Sequence, residues 1–205
     1  MIGELYERAL GGASRVEVED AAGRRSPLPV EEWMGPRPGD AALLDRCEGP
    51  ALDVGSGPGR LTAALTERGV LALGIDIAPH AVALTVAAGG PALRRDVFGQ
   101  VPGAGRWETV LLADGNIGIG GDPAALLCRV LELLAPGGRV LAEVAGPGTR
   151  SRVDRVRLRT GGAVGEWFSW AWVAADDVAE LAAGCGAAVA EIWEEAGRWF
   201  VELRG

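Results

Sequence analysis

The hydrophobic positions of this chain follow two periods, and the two alternate. From Pro50 a short apolar run, "ALDV", enters "GSGPG". It is followed by "RLTAALTER", in which Leu61, Ala64, Leu65 and Arg68 fall at i, i+3, i+4 and i+7, with Gly69 as a stop. The alternation then repeats. "VLALGID" predicts a buried strand ending at Asp76, "APHAVALTVAAGG" a helix ending in glycine, "PALRRD" a third strand ending at Asp96, and "WETVLLAD" a fourth. Asp122 caps the next predicted helix, with Pro123 in its first turn. Its buried stripe is Leu127, Val130, Leu131 and Leu134, and "PGG" at 136–138 ends it ahead of a fifth strand, "RVLAEVAG". Strands apolar along their whole length, alternating with helices, predict an α/β fold. The expected sheet is doubly wound and mostly parallel, with helices on both faces and right-handed crossovers.

The flanks read differently. Residues 1–49 predict a helical and irregular cap, in which "PRPGDAALLDRC" is a helix reached through Pro38 and Asp40. Beyond the fifth strand, "RVDRVRLRT" and "EWFSWAWV" predict an antiparallel strand pair within a small insertion at about 147–174. "ADDVAELAAGCG" is a helix with Val178, Leu181, Ala182 and Cys185 inward, and "AAVAEIWEEA" with "RWFVELRG" is a closing hairpin. The expected organisation is a cap over one domain, 50–205.

Composition narrows the chemistry. A chain of 205 residues suits one domain with a small appendage, and 48% apolar residues argue against disorder. No apolar run approaches the ~20 residues that cross a membrane. "MIGELYERAL" carries charges where a signal peptide needs an apolar block, so a soluble cytoplasmic protein is expected. The net charge of −8 disfavours a general nucleic-acid binder. Cys47, Cys128 and Cys185 have no metal-ligand spacing; each lies in a predicted helix, and buried thiols are expected rather than a disulfide or a zinc site. The chain has no lysine, which excludes a Walker A lysine and Schiff-base catalysis, and its single histidine, His80, excludes a zinc site of several histidines. "GSG" at Gly55 does not match the Gly-x-Ser-x-Gly of serine hydrolases.

The strongest chemical signal is "LDVGSGPGR", Leu52 to Arg60. Its glycines at 55, 57 and 59 follow a strand and open a helix, so a ligand can approach backbone N–H groups. A dinucleotide fingerprint, Gly-x-Gly-x-x-Gly, would need its third glycine at position 60, where Arg60 stands. Asp53-Val54-Gly55-Ser56-Gly57-Pro58-Gly59 instead resembles motif I of the class I S-adenosylmethionine (SAM) methyltransferases. The resemblance continues in order and covers about 50–145. It implies that Asp76, with Ile77 beside it, binds the ribose hydroxyls, and that Asp96 pairs with the adenine amino group, with the Val97 N–H nearby. It implies that Asp53 supports the loop or reaches the methionine amino group through water, that Ser56 lies within the cofactor loop, and that Ala113 offers its backbone to that amino group. "ALLCRVLELLAPGGRVLAEV" looks like the family's helix, Pro-Gly-Gly turn and fifth strand. The closing hairpin then gives a seven-stranded sheet of order 3-2-1-4-5-7-6 with one antiparallel strand.

Candidates for the transfer itself lie in "LLADGNIGIGGDP", after the fourth strand. Asp114 is open to two active roles, base or cation anchor, or else forms a turn pair with Gly115. Asn116, the only asparagine, either orients the acceptor or the SAM amino group, or accepts a left-handed turn. The loop lacks the Asn-Pro-Pro-[Tyr/Phe] sequence of many amino-methylating DNA and protein enzymes. His80 is read as a surface group or one acting behind the site. Glu143 either faces the cleft or binds a neighbouring loop. Arg155, Arg157 and Arg159 share a strand face that is either solvated or meets an anionic acceptor. Phe168, Trp170 and Trp172 share another, which either packs internally or walls a flat substrate. The resemblance implies that the N-terminal prelude, with Tyr6 and Trp33, can close over SAM.

The expected protein is a SAM-dependent methyltransferase acting on an O, N or C nucleophile of a small molecule, with S-adenosylhomocysteine as product. It has no metal, no nucleic-acid partner and no membrane partner, and is a monomer or homodimer. The alternatives are a non-catalytic SAM-binding sensor or partner subunit, and an NAD(P)-dependent oxidoreductase, which Arg60 disfavours.

Overall fold

The computed structural model describes residues 3–12 and 15–205. Along the chain the elements are α1 (Glu4–Leu10), β1 (Glu17–Asp20), β2 (Arg25–Pro27), α2 (Val30–Trp33), α3 (Asp40–Leu44), β3 (Ala51–Val54) and α4 (Arg60–Glu67). Then come β4 (Ala72–Asp76), α5 (Pro79–Ala87), β5 (Ala92–Arg94), β6 (Trp107–Leu112), a 3-10 segment (Asn116–Gly121) and α6 (Pro123–Leu133). The chain ends with β7 (Leu134–Val144), β8 (Arg152–Arg159), β9 (Phe168–Trp172), α7 (Val178–Gly184), β10 (Ala188–Glu195) and β11 (Arg198–Arg204). None of the described helices is long and apolar enough to cross a membrane.

The large sheet has the order β10-β11-β7-β6-β3-β4-β5. Numbering its strands in chain order gives 6-7-5-4-1-2-3, the expected order read from the other edge. β11 runs antiparallel to both neighbours, and the other pairings are parallel. Alternate residues of the central strands go to opposite faces, as a two-residue period requires. Val110, Leu112, Val140 and Ala142 pack with Leu126, Leu127, Val130 and Leu133 of α6 and Val178 and Ala182 of α7. Leu111, Leu141 and Phe200 pack on the other face with Leu43 and Leu44 of α3 and Leu61 and Leu65 of α4. The sheet is therefore covered on both sides.

The stripe on α6 is turned from its expected position. Leu126 and Leu133 are fully buried beside Leu127 and Val130, while Leu131 and Leu134 are only partly buried. The last helical residue is Leu133, so Leu134 already belongs to the strand and no longer follows the helical period.

In residues 1–49, expected as helical and irregular, two strands form. They join the expected pair from the insertion in a second sheet of order β2-β1-β8-β9, antiparallel throughout. β1 and β2 are too short to carry a legible period, at 4 and 3 residues. α1 fills the space beside this sheet: Leu5 and Ala9 meet Val16 and Leu158, and Leu10 meets Ala78 and Ala81 at the start of α5.

The cysteines differ from expectation. Cys128 of α6 is exposed, Cys185 lies at the end of α7, and the two form a disulfide. α6 and α7 pack side by side on one face of the sheet, which brings together two residues 57 apart in sequence. Cys47 is the buried thiol that was expected, although it lies just beyond α3 rather than within it, and it donates to the Leu43 carbonyl.

Candidate active site

The sheet-end loops meet the small sheet across a cavity of about 550 Å³. Its floor is the glycine loop between β3 and α4. Gly55, Gly57 and Gly59 all take left-handed φ, at 71°, 55° and 90°, which is why side-chain-bearing residues are disfavoured there. The loop is held from two sides. The Gly57 N–H donates to Asp76 Oδ2 at 3.0 Å, and the Gly57 carbonyl accepts from Thr85 Oγ1 at 3.0 Å. A Cβ on Gly57 would stand 3.6 Å from the Tyr6 hydroxyl, so Tyr6 lies close against the loop at the cavity wall.

Of the residues singled out from the sequence as cofactor-binding or catalytic, Asp53, Gly55, Ser56, Gly57, Asp76, Ile77, Asp96, Val97, Ala113, Asp114 and Asn116 line this one cavity. Gly59 does not. A Cβ there would sit 2.6 Å from Thr85 Cα, so its missing side chain lets α4 and α5 approach. Ser56 Oγ is buried without a hydrogen-bond partner, against Thr62 and the space left by Gly74.

The carboxylates differ in environment. Asp53, on β3, is buried and accepts from Thr62 Oγ1 at 2.7 Å; burial pushes its carboxyl up to about 6. Asp76, the last residue of β4, is also buried, and burial raises it against the opposing N–H donors of Ala78 and Gly57. Each of its oxygens accepts one of these N–H groups, and a carboxylate oxygen has a further lone pair to give. Asp96 is exposed at the rim and accepts the Phe98 N–H at 3.0 Å.

Asp114 and Asn116 are built into the framework of the site. Asp114 adopts a left-handed φ of 53°. Its carboxylate meets Arg37 at 2.5 Å, Arg60 at 2.5 Å and Arg198 at 3.3 Å. Asn116 Nδ2 donates to the carbonyls of Val54 and Gly55, at 2.9 and 3.0 Å, and so fastens the 3-10 segment to the glycine loop. The glycines that follow admit β9. A Cβ on Gly118 would lie 2.0 Å from the Ala171 carbonyl oxygen, and one on Gly121 2.3 Å from Ser169 Cβ.

A network of buried charges surrounds Asp114. Arg60 also pairs with Asp40, and Arg198 pairs with Asp40 and with Glu143 at 2.7 Å. Burial raises the Asp40 carboxyl, but Arg60, the Arg37 N–H and Arg198 outweigh it and hold Asp40 below its ordinary value. Burial opposes the charge of Arg198, and Glu143, Asp40 and Asp114 more than offset this, raising its pKa. Sequence reading missed Arg37, Arg198 and the pairing of Arg60. The partners lie up to 158 positions apart, so no local signal announces them.

Glu143 takes the Asp114 N–H and lines a neighbouring cavity of about 290 Å³. His80, in the first turn of α5, donates its N–H to Glu7 and lies off the main cavity wall. Arg157 and Arg159 flank the buried Glu19 of β1, at 2.6 and 2.8 Å, and Arg155 is exposed. Phe168, Trp170 and Trp172 line the main cavity, as do Tyr6 and Trp33.

No protein-family model matches the chain, and no curated protein matches its sequence. Solved structures match its shape. A SAM-dependent methyltransferase from Bacteroides fragilis, in complex with S-adenosyl-L-homocysteine, gives a TM-score of 0.81 at 21% identity, covering 99% of this chain and 93% of that one. The Burkholderia thailandensis 1,6-didemethyltoxoflavin-N1-methyltransferase, with bound 1,6-didemethyltoxoflavin and S-adenosylhomocysteine, gives 0.62 at 21% identity over 84% and 77% of the two chains. Magnesium protoporphyrin IX methyltransferase from Synechocystis, with bound SAM, gives 0.56 at 17% identity over 80% and 74%. The chain therefore has the fold of the class I SAM-dependent methyltransferases.

Proposed function

We propose that the protein binds SAM in the main cavity and transfers its methyl group to a small molecule. The observation that carries this reading is the convergence of the glycine loop, Asp76 and Asp96 on one cavity, which continues past them into an apolar chamber. The residues fit the cofactor. The left-handed Gly55 and Gly57 bring the loop backbone to the cavity wall, and Asp76 retains acceptor capacity on both oxygens for two ribose hydroxyls. Asp96 and the Val97 N–H take the adenine edge, Ile77 the ribose side, Asp53 and Ser56 the base of the loop, and Ala113 the methionine end.

SAM supplies a methyl group already activated on a sulfonium, so the protein's main task is alignment. Asn116 serves as a positioning residue, because it sets the carbonyls of the glycine loop. Asp114 serves as a cation anchor, because three arginines occupy its carboxylate. Neither needs to remove a proton from the acceptor.

A small-molecule acceptor is supported by the apolar lining of the chamber and by two structural neighbours, the 1,6-didemethyltoxoflavin-N1-methyltransferase with its bound 1,6-didemethyltoxoflavin and the magnesium protoporphyrin IX methyltransferase. A cytoplasmic setting belongs to the same reading; cytosolic thiol pools would then act on the Cys128–Cys185 bond from its exposed Cys128 side.

Titration calorimetry with SAM, S-adenosylhomocysteine and NADPH tests the proposal. Saturable heat with the two adenosyl ligands and none with NADPH is expected. Silence with both adenosyl ligands sinks it. Conversion of SAM to S-adenosylhomocysteine that depends on an added small acceptor, with the methylated acceptor as the other product, separates an enzyme from a sensor.

A further inference from the structure

We propose that the acceptor is a flat aromatic ring system without negative charge, received in the chamber that the small sheet builds; this rests on the methyl-transfer reading above. β8 and β9 turn alternate residues inward, Val156 and Leu158 from one and Phe168, Trp170 and Trp172 from the other. Tyr6 and Trp33 line the same cavity from α1 and α2. With Phe98, these rings make an aromatic lining of six side chains.

The rings are preset. Phe168 and Trp170 meet edge to face, with centroids 6.4 Å apart and planes at 86°. Tyr6 and Trp33 do the same at 6.4 Å and 68°. Arg152 lies over Trp172 at 4.2 Å and holds it in place. The 3-10 segment backs β9 directly because Gly118 and Gly121 leave no side chain between them. Fixed rings offer π faces and edges to another ring at small entropic cost, and give much less to a saturated ring.

The charge of the walls selects against anions. Asp53, Asp76, Asp96 and Asp114 line the cavity against two cationic side chains, Arg60 and Arg95. Arg60 is taken up by Asp40 and Asp114, and Arg95 is exposed. On the small sheet, Arg157 and Arg159 are taken up by Glu19. Ser169 is the one polar side chain that the described small-sheet residues give the lining. An acceptor carboxylate seated against the small sheet would be desolvated with no cation of that sheet free to meet it, since Arg95, which no ion pair among the described residues takes up, stands beside Asp96 at the other end of the lining.

The test uses the full chain saturated with S-adenosylhomocysteine, after that binding has been measured on its own. Three probes of similar size are then titrated: 2-naphthol, 6-hydroxy-2-naphthoate and decahydro-2-naphthol. The expected result is about tenfold tighter binding of 2-naphthol than of either other probe. Trp170→Leu should remove most of that preference and leave S-adenosylhomocysteine affinity unchanged, and Trp170→Phe should restore it. Equal affinities, a preference for the naphthoate or the saturated alcohol, no binding of any probe, or indifference to Trp170→Leu would each overturn the proposal. Failure of S-adenosylhomocysteine to bind at the first step would instead overturn the cofactor reading.

Discussion

At the scale of single residues, the same amino acid does different work according to its surroundings. Asp76 and Asp53 are both buried carboxylates at strand ends, but only Asp76 is fixed by two backbone donors with acceptor capacity to spare. Asp76→Ala should weaken SAM binding by about 1–3 kcal/mol, read by calorimetry. Asp53 shows its cost through pH. Its carboxyl is raised from an ordinary 3.8 to about 6. Its contribution to stability is complete below the lower value and is lost as pH rises through the upper one, where the fold must hold a buried charge. Asp53→Asn should therefore raise the melting temperature at about pH 8, with the gain shrinking towards pH 4. Glycines divide in the same way. Gly118→Ala drives a methyl into the Ala171 carbonyl and should cost about 1–3 kcal/mol. Gly115→Ala meets open space, and its left-handed φ alone should cost about 1 kcal/mol. Denaturant midpoints of the two variants check the difference.

Elements that contain a full period were legible, and those that do not were not. β3, β4, β6 and the helices between them follow directly from apolar spacing. β1 and β2 are short and partly polar; β1 is held by pairing with β8 and β2 by pairing with β1, so the sequence showed the β8–β9 half of the second sheet and gave no sign of the other half. The 3-10 segment after β6 read as a glycine-rich loop beside the site. Its glycines in fact seat β9, and its asparagine braces the cofactor loop. The ion network likewise joins elements, tying α3, α4, β7 and β11 to the end of β6. Arg198→Met would strand Asp40 and Glu143 with one fewer cation and should cost about 3–5 kcal/mol. Arg24→Met, at a pair with Asp20 whose arginine is 78% exposed, should leave stability essentially unchanged. Parallel unfolding curves decide between them.

For the whole molecule, the disulfide is the cross-link that the sequence spacing did not suggest. It closes a loop of 57 positions between α6 and α7, so removing it by Cys128→Ser with Cys185→Ser should cost about 2–5 kcal/mol. A lower melting temperature that reductant no longer affects is the expected signature. The sequence by itself determined the strand–helix alternation, the glycine loop and the aspartates at successive strand ends. These are consequences of backbone period and of which residues tolerate a left-handed turn, both properties of neighbours in the chain. Only the tertiary structure decided which carboxylates pair with arginines, which cysteines meet, and whether Phe168, Trp170 and Trp172 face a core or a cavity. Those outcomes depend on distances between elements up to 158 positions apart, set when the two sheets and their helices pack, and no local pattern encodes them.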